Sequence, residues 1–153
     1  MAPITIDDVS KRIVQIAGTV AGIKRTYDPA PPNMLSDDLV CSWVFTDPAQ
    51  YLDFEDDENV IQTVRIFRIQ TACLTIAQGD PYNRETIVRP LIDTMVRKFQ
   101  GYSTLNNLSF VRSHRVVSDS GVVILPEYGG QFIGFEVRLS VEYLYDRVFE
   151  PGE

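Results

Sequence analysis

Few residues in this chain can do chemistry of their own. Its 153 residues contain one histidine, His114. A catalytic histidine needs a nucleophile or a base partner placed beside it. The sequence offers no Gly-x-Ser-x-Gly elbow, no phosphate-cradling glycine loop and no dinucleotide glycine fingerprint. His114 alternates with Arg112 along a strand-like stretch, with Arg115 pointing the other way, and reads as a surface or packing residue. The acidic run Asp53-Phe54-Glu55-Asp56-Asp57-Glu58 is the second candidate. Asp53, Glu55 and Asp57 alternate as metal ligands can, but a calcium loop also needs a central glycine and a distant closing glutamate, and neither is present. The run reads as a solvated loop, or as a negative surface facing something that must not stick. Two cysteines, Cys41 and Cys73, lie in apolar, strand-like segments; they are expected to be reduced, buried and inert, with a disulfide between them as the alternative. From these residues the chain is expected not to be an enzyme and to hold no metal or cofactor.

Charge narrows the partners. The net charge is −7, from 21 acidic and 14 basic residues. Such a chain does not grip nucleic acid through a phosphate-binding face, although it can handle nucleic acid by not adhering to it. No stretch approaches the roughly 20 apolar residues that cross a bilayer, and the first residues carry neither a basic patch nor an apolar signal core. A protein made and kept in a cytoplasm, without a membrane partner, is expected.

The elements that position these residues follow from periodicity. Thr5-Ile6-Asp7-Asp8 is a helix start, a threonine cap with acid in the first turn. Ile6, Val9, Ile13, Ile16 and Val20 continue it as one apolar face, and Gly18 or Gly22 ends it. A short strand over 23–27 precedes Pro29, Pro31 and Pro32, which favour an extended segment. That segment can be a ligand for an aromatic groove, a rigid connector, or a strap onto a neighbouring subunit. Strands are predicted over 39–46 and 60–76, the second with a bulge, and an acidic loop over 47–59. Asp80-Pro81 caps a helix whose stripe is Ile87, Leu91, Met95 and Phe99, with Pro90 expected to kink it or to mark a late start. Gly101 ends it. Strands over 108–117 and 122–125 lead to the longest one, where Ile133, Phe135, Val137, Leu139, Val141, Tyr143 and Tyr145 alternate with mostly small or polar residues. At about 3.3 Å per residue this strand spans about 45–50 Å. The reading is a single α+β domain over residues 1–153: an antiparallel-rich mixed sheet of about six strands, some very long, with two helices packed on one face. Strands this long present edges that call for pairing with further copies of the chain.

The layout resembles that of the tail terminator proteins of long-tailed bacteriophages. The resemblance rests on the amphipathic helix Ile6–Val20, the glycine-containing exit and strand 18–27, and the proline loop 28–35. It continues with the Arg-rich strand Val64-Arg65-Ile66-Phe67-Arg68-Ile69, which leads through Gly79-Asp80 to Phe99, and with a meander ending in the long alternating strand. It covers most of the chain as layout and texture, with no invariant motif. It implies a structural virion protein, assembled in the host cytoplasm. Its copies would form a ring, in that family a hexamer, that caps the tail tube at the head–tail junction and ends tube polymerisation. Its partners would be itself, the tail tube protein and a head-side connector or stopper, with DNA a non-specific passenger through the lumen. Six copies at −7 each carry −42, and an acidic lumen repels DNA and lets it slide. Asp53, Glu55, Asp56, Asp57 and Glu58 are the candidates for the lumen or rim. Pro29, Pro31, Pro32, Met34 and Leu35 are the candidates for contact with a neighbouring subunit or the tube. The alternatives are a head-side neck or stopper protein of the same assembly, and a small binding module or α+β enzyme with an unidentified site.

Overall fold

The computed structural model describes residues 4–53, 60–101 and 104–146. The chain runs α1 (Ile6–Ala17), β1 (Arg25–Tyr27), β2 (Cys41–Asp53) and β3 (Val60–Thr75), then α2 (Arg89–Gln100), β4 (Val111–Asp119), β5 (Val123–Leu125) and β6 (Phe132–Asp146). The strands form one sheet in the order β1-β2-β3-β6-β4, with β5 also against β6. β1 pairs parallel to β2 and the other pairings are antiparallel. The chain is therefore of the α+β class, with a mixed, mostly antiparallel sheet of six strands.

Alternation in β6 sets the two faces of this sheet. Ile133, Phe135, Val137, Leu139 and Val141 are fully buried on one face, while Glu136, Ser140 and Glu142 on the other are only partly covered. β3 supplies matching neighbours, with Phe67 opposite Leu139 and Ile69 opposite Val137. Both helices cover this face: Val9, Ile13 and Ile16 of α1 and Met95 and Phe99 of α2 join the same apolar cluster.

Local chemistry starts each helix where the sequence suggests. Thr5 Oγ1 accepts the amide of Asp8 at 3.1 Å, and the Asp8 carboxylate accepts the amide of Thr5 at 2.9 Å. α1 ends at Ala17, so Val20 is buried beyond the helix, and Ile6 is 40% exposed. Asp80 caps a single turn at Pro81–Asn83. The expected effect of Pro90 takes the form of a π segment, Arg84–Val88, immediately upstream of α2. Pro90 has no N–H for the carbonyl of Thr86, and the wider turn absorbs the mismatch. The stripe rotates in consequence: Val88 is fully buried and Ile87 is 41% exposed.

Two strand boundaries differ from expectation. The first part of the loop predicted over 47–59 is instead strand, as far as Asp53, because a bulge between Thr46 and Ala49 takes up Asp47-Pro48 and β2 resumes, with Ala49 opposite Arg65 and Asp53 opposite Ile61. β4 begins at Val111 rather than Leu108, because Leu105, Asn106, Asn107 and Phe110 adopt left-handed backbone with φ of 49°, 57°, 62° and 71°. A second, smaller core lies on the other face, where Met34, Cys41, Trp43, Ala72, Leu125 and Phe132 pack together. Trp43 meets Tyr128 edge to face at 5.6 Å.

The bulge predicted in β3 falls between Ala72 and Leu74. Opposite it, the strands approach so closely that a Cβ on Gly134 would sit 1.7 Å from the carbonyl oxygen of Thr71. Gly134→Ala is expected to destabilise the fold by about 3 kcal/mol, at the upper end for overpacking, since the obstacle is backbone in the middle of the sheet. Urea denaturation measures this; a midpoint equal to wild type would show that the strands separate freely there.

Candidate functional site

His114 is built into the scaffold. Its Nδ1 accepts the amide of Leu105 at 3.1 Å, so Nε2 carries the proton and donates to the carbonyl of Phe99 at 2.6 Å. The ring thus ties the end of α2 to the left-handed turn. Arg12 of α1 holds the same turn, donating to the carbonyls of Leu105 and Asn106 at 3.1 and 3.0 Å. These bonds keep Leu105 fully buried in spite of its backbone conformation.

A polar network on the sheet face away from the helices was not foreseen. Trp43 Nε1 donates to Gln70 Oε1 at 3.1 Å, which turns the Gln70 amide toward Glu136 at 3.1 Å and Glu127 at 3.3 Å. Arg68 donates to Asp47 at 2.8 Å and Glu136 at 3.2 Å, with its guanidinium 5.1 Å from the centre of the Phe45 ring. Burial pushes the Glu136 carboxyl up, but the hydrogen bonds from Gln70 and Arg68 outweigh it and hold the group below its ordinary value. On the helix side, Arg65 is only 8% exposed and donates to neutral oxygens: the carbonyl of Asp47 at 2.8 Å, the Tyr51 hydroxyl at 2.8 Å and the Tyr143 hydroxyl at 3.3 Å. The sequence did carry a signal for both groups. Arg65, Arg68 and Gln70 alternate with apolar residues in the stretch Val64–Ile69 and just after it, and a central strand places them where each needs a partner.

The residues singled out for assembly divide. Asp53 ends β2, and Glu55, Asp56, Asp57 and Glu58 lie outside the described residues, in sequence between the two long strands β2 and β3. In the proline segment, Pro29 and Pro32 are exposed and Pro31 is half-buried, its carbonyl accepting the hydroxyl of Tyr128. Met34 is 7% exposed and belongs to the chain's own second core, which removes it from outward contact, whereas Leu35 is 68% exposed. The segment is thus a strap on its own sheet, with Pro29, Pro32 and Leu35 turned outward. A groove of about 420 Å³ runs beside it, lined by Leu35, Thr75, Ile76 and Gln131. A second cleft, about 500 Å³, is lined by Ile92, Val96 and Val122 together with Glu85, Arg89, Asp93 and Asp119.

Both cysteines are free and buried, Cys41 in the second core and Cys73 in the first. Burial pushes both thiols up to about 12, so they remain protonated at neutral pH. Among the described residues no three of His, Cys, Asp and Glu stand together as a metal site, and no helix is long and apolar enough to cross a membrane. The chain matches no protein-family model and no curated protein.

The lowered Glu136 carboxyl has a consequence for acid stability. A carboxyl held below its unfolded value stabilises the fold above that value, about 4.5, and loses the contribution as pH falls through the lower folded value. Glu136→Gln is therefore expected to lower the urea midpoint at pH 7. The gap to wild type should narrow steadily below pH of about 4.5. A gap that stays constant down to the acid transition would remove Glu136 from the acid sensitivity of the fold.

Proposed function

We propose that this protein is a structural subunit of a tailed-phage virion, a tail terminator that forms a ring on the tail tube at the head–tail junction. The reading starts from the resemblance in layout. The observation that carries it is the pairing of β3 with β6 over Val60–Thr75 and Phe132–Asp146. These strands of 16 and 15 residues far exceed the usual length of about 5–6. They give a small subunit a long, stiff body, and a sheet with open margins suits assembly better than solitary existence. His114, the residue with most scope for catalysis, spends both ring nitrogens on the backbone.

In this reading the copies close into a ring, six in the resembled family. The ring ends tube growth by occupying the last layer of tube protein and offers its other side to the head-side connector or stopper. DNA passes through the lumen without being gripped, which the net charge of −7 per copy favours. The acidic segment that begins at Asp53 is assigned to the lumen or rim. The exposed Pro29, Pro32 and Leu35 are assigned to the tube or the neighbouring copy. A head-side stopper would use the same ring physics and differs in which end of the junction it binds.

Light scattering across a concentration series, with negative-stain imaging of the same sample, tests the ring. Purified tail tubes and purified heads are then added separately. A ring-sized particle with a central hole, or discs capping tube ends, is the expected result. Binding to heads and not to tubes would move the protein to the stopper role. A monomer that binds neither overturns the reading.

A further inference from the structure

The sheet ends in two unequal margins. On one side β1 pairs only with Cys41–Trp43, so the outer backbone of β2 from Val44 to Asp53 meets no strand of the described residues. On the other side β4 is the last strand. Among the described residues, the large apolar side chains left exposed on strands are Tyr51 and Leu52 on β2, Val117 on β4 and Ile124 on β5. All four lie on these margins. Open backbone with apolar side chains along it is a template for another strand.

Both margins are interrupted in a way that fixes register. The bulge at Asp47-Pro48 breaks β2, and shifts between Val111 and Ser113 and between Val116 and Ser118 break β4. One regular run survives on each: Ala49–Asp53 and Ser113–Val116. They overlap across the sheet in two rows. His114 opposes Val141, Val141 opposes Arg65, and Arg65 opposes Ala49; likewise Ser113, Glu142, Val64 and Gln50 form one row. Directions also agree. β2, β3, β6 and β4 alternate, so β4 runs opposite to β2. A second copy set alongside, without inversion, therefore offers β2 an antiparallel partner.

Charge selects this pairing over its rivals. β2 from Val44 to Asp53 holds Asp47, already paired with Arg68, and Asp53, and no base, and in sequence the acidic run continues to Glu58. β4 before Asp119 holds Arg112 and Arg115 and no acid. Two β4 edges would set arginines against each other and two β2 edges would set acids against each other, whereas β4 against β2 brings opposite signs together.

We propose that Ser113–Val116 of one copy adds as an antiparallel strand to Ala49–Asp53 of the next, head to tail. This rests on the ring reading and names the surface that makes the ring. The contact is heterologous: each added copy leaves one open β2 edge and one open β4 edge, so repetition closes into a ring or continues as a filament. The strand pair supplies the backbone hydrogen bonds. Tyr51 and Leu52, exposed on opposite faces of β2, flank it, and the charges set the order of edges.

A charge swap on the full chain tests the pairing, read as mass by light scattering. Arg112→Glu/Arg115→Glu sets acid against acid and is expected to reduce the assembly to the 17.3 kDa single chain. Gln50→Lys/Leu52→Lys, at exposed positions on the other edge, is expected to do the same. The chain with all four changes restores opposite signs and should assemble again. Arg112→Lys/Arg115→Lys keeps the charge and should assemble like wild type, which guards against loss through misfolding. A ring that persists in Arg112→Glu/Arg115→Glu, or a four-change chain that folds by circular dichroism yet stays monomeric, overturns the pairing while leaving the ring reading intact. A wild-type chain that is monomeric alone and with tubes or heads overturns both.

Discussion

The pairing of β3 with β6 is the constraint on which the other parts depend. Because the two strands match residue for residue over nearly their whole length, the buried side chains of both line one face, with Phe67 beside Leu139 and Ile69 beside Val137, and a continuous plate results. The helices have no other large surface to bury against. The register also carries the exceptions. The bulge at Ala72–Leu74 lies across from Gly134, where the strands come too close for a side chain. A slip by one residue would turn Phe135, Val137 and Leu139 to the wet face and Glu136 and Arg138 into the core. The long alternating sequence of β6 therefore decides far more than its own conformation.

Much of this was legible because period and caps are local signals. The β6 alternation, the Thr5-x-x-Asp8 cap, the Asp80-Pro81 start and the effect of Pro90 all act over a few residues and survive into the fold. What escaped was set at a distance. The strand over Ala49–Asp53 has a weak pattern of its own and exists because Ile61–Arg65 lies beside it. The left-handed turn at Leu105–Asn107 contains no glycine, and is held by Arg12 from far along the chain and by His114 from the strand that follows. Met34 could not be separated from Leu35 as core or surface, since one apolar residue looks like another until the sheet beneath is known.

The candidate surfaces were legible in a different measure. Proline clusters and charge runs announce themselves by composition, so the 29–35 segment and the acidic segment stood out at once. Composition does not say where a segment docks. Pro31 proves to receive Tyr128 from the same chain, and the Arg68–Glu136–Gln70 group gave no compositional sign beyond polar residues in an apolar strand. The two open margins follow from strand order alone, and strand order is a property of the whole topology rather than of any stretch of it.

The placement of the two thiols has an outcome of its own. Cys41 lies in the core on one face of the sheet and Cys73 in the core on the other. With the sheet between them and burial keeping both thiols protonated at neutral pH, the two cysteines are not placed to form a disulfide with each other in the folded chain. Reagents that label thiols would see it only as it opens. Each cysteine would then report the unpacking of its own core, so that one chain carries two spectators on opposite sides of the same sheet.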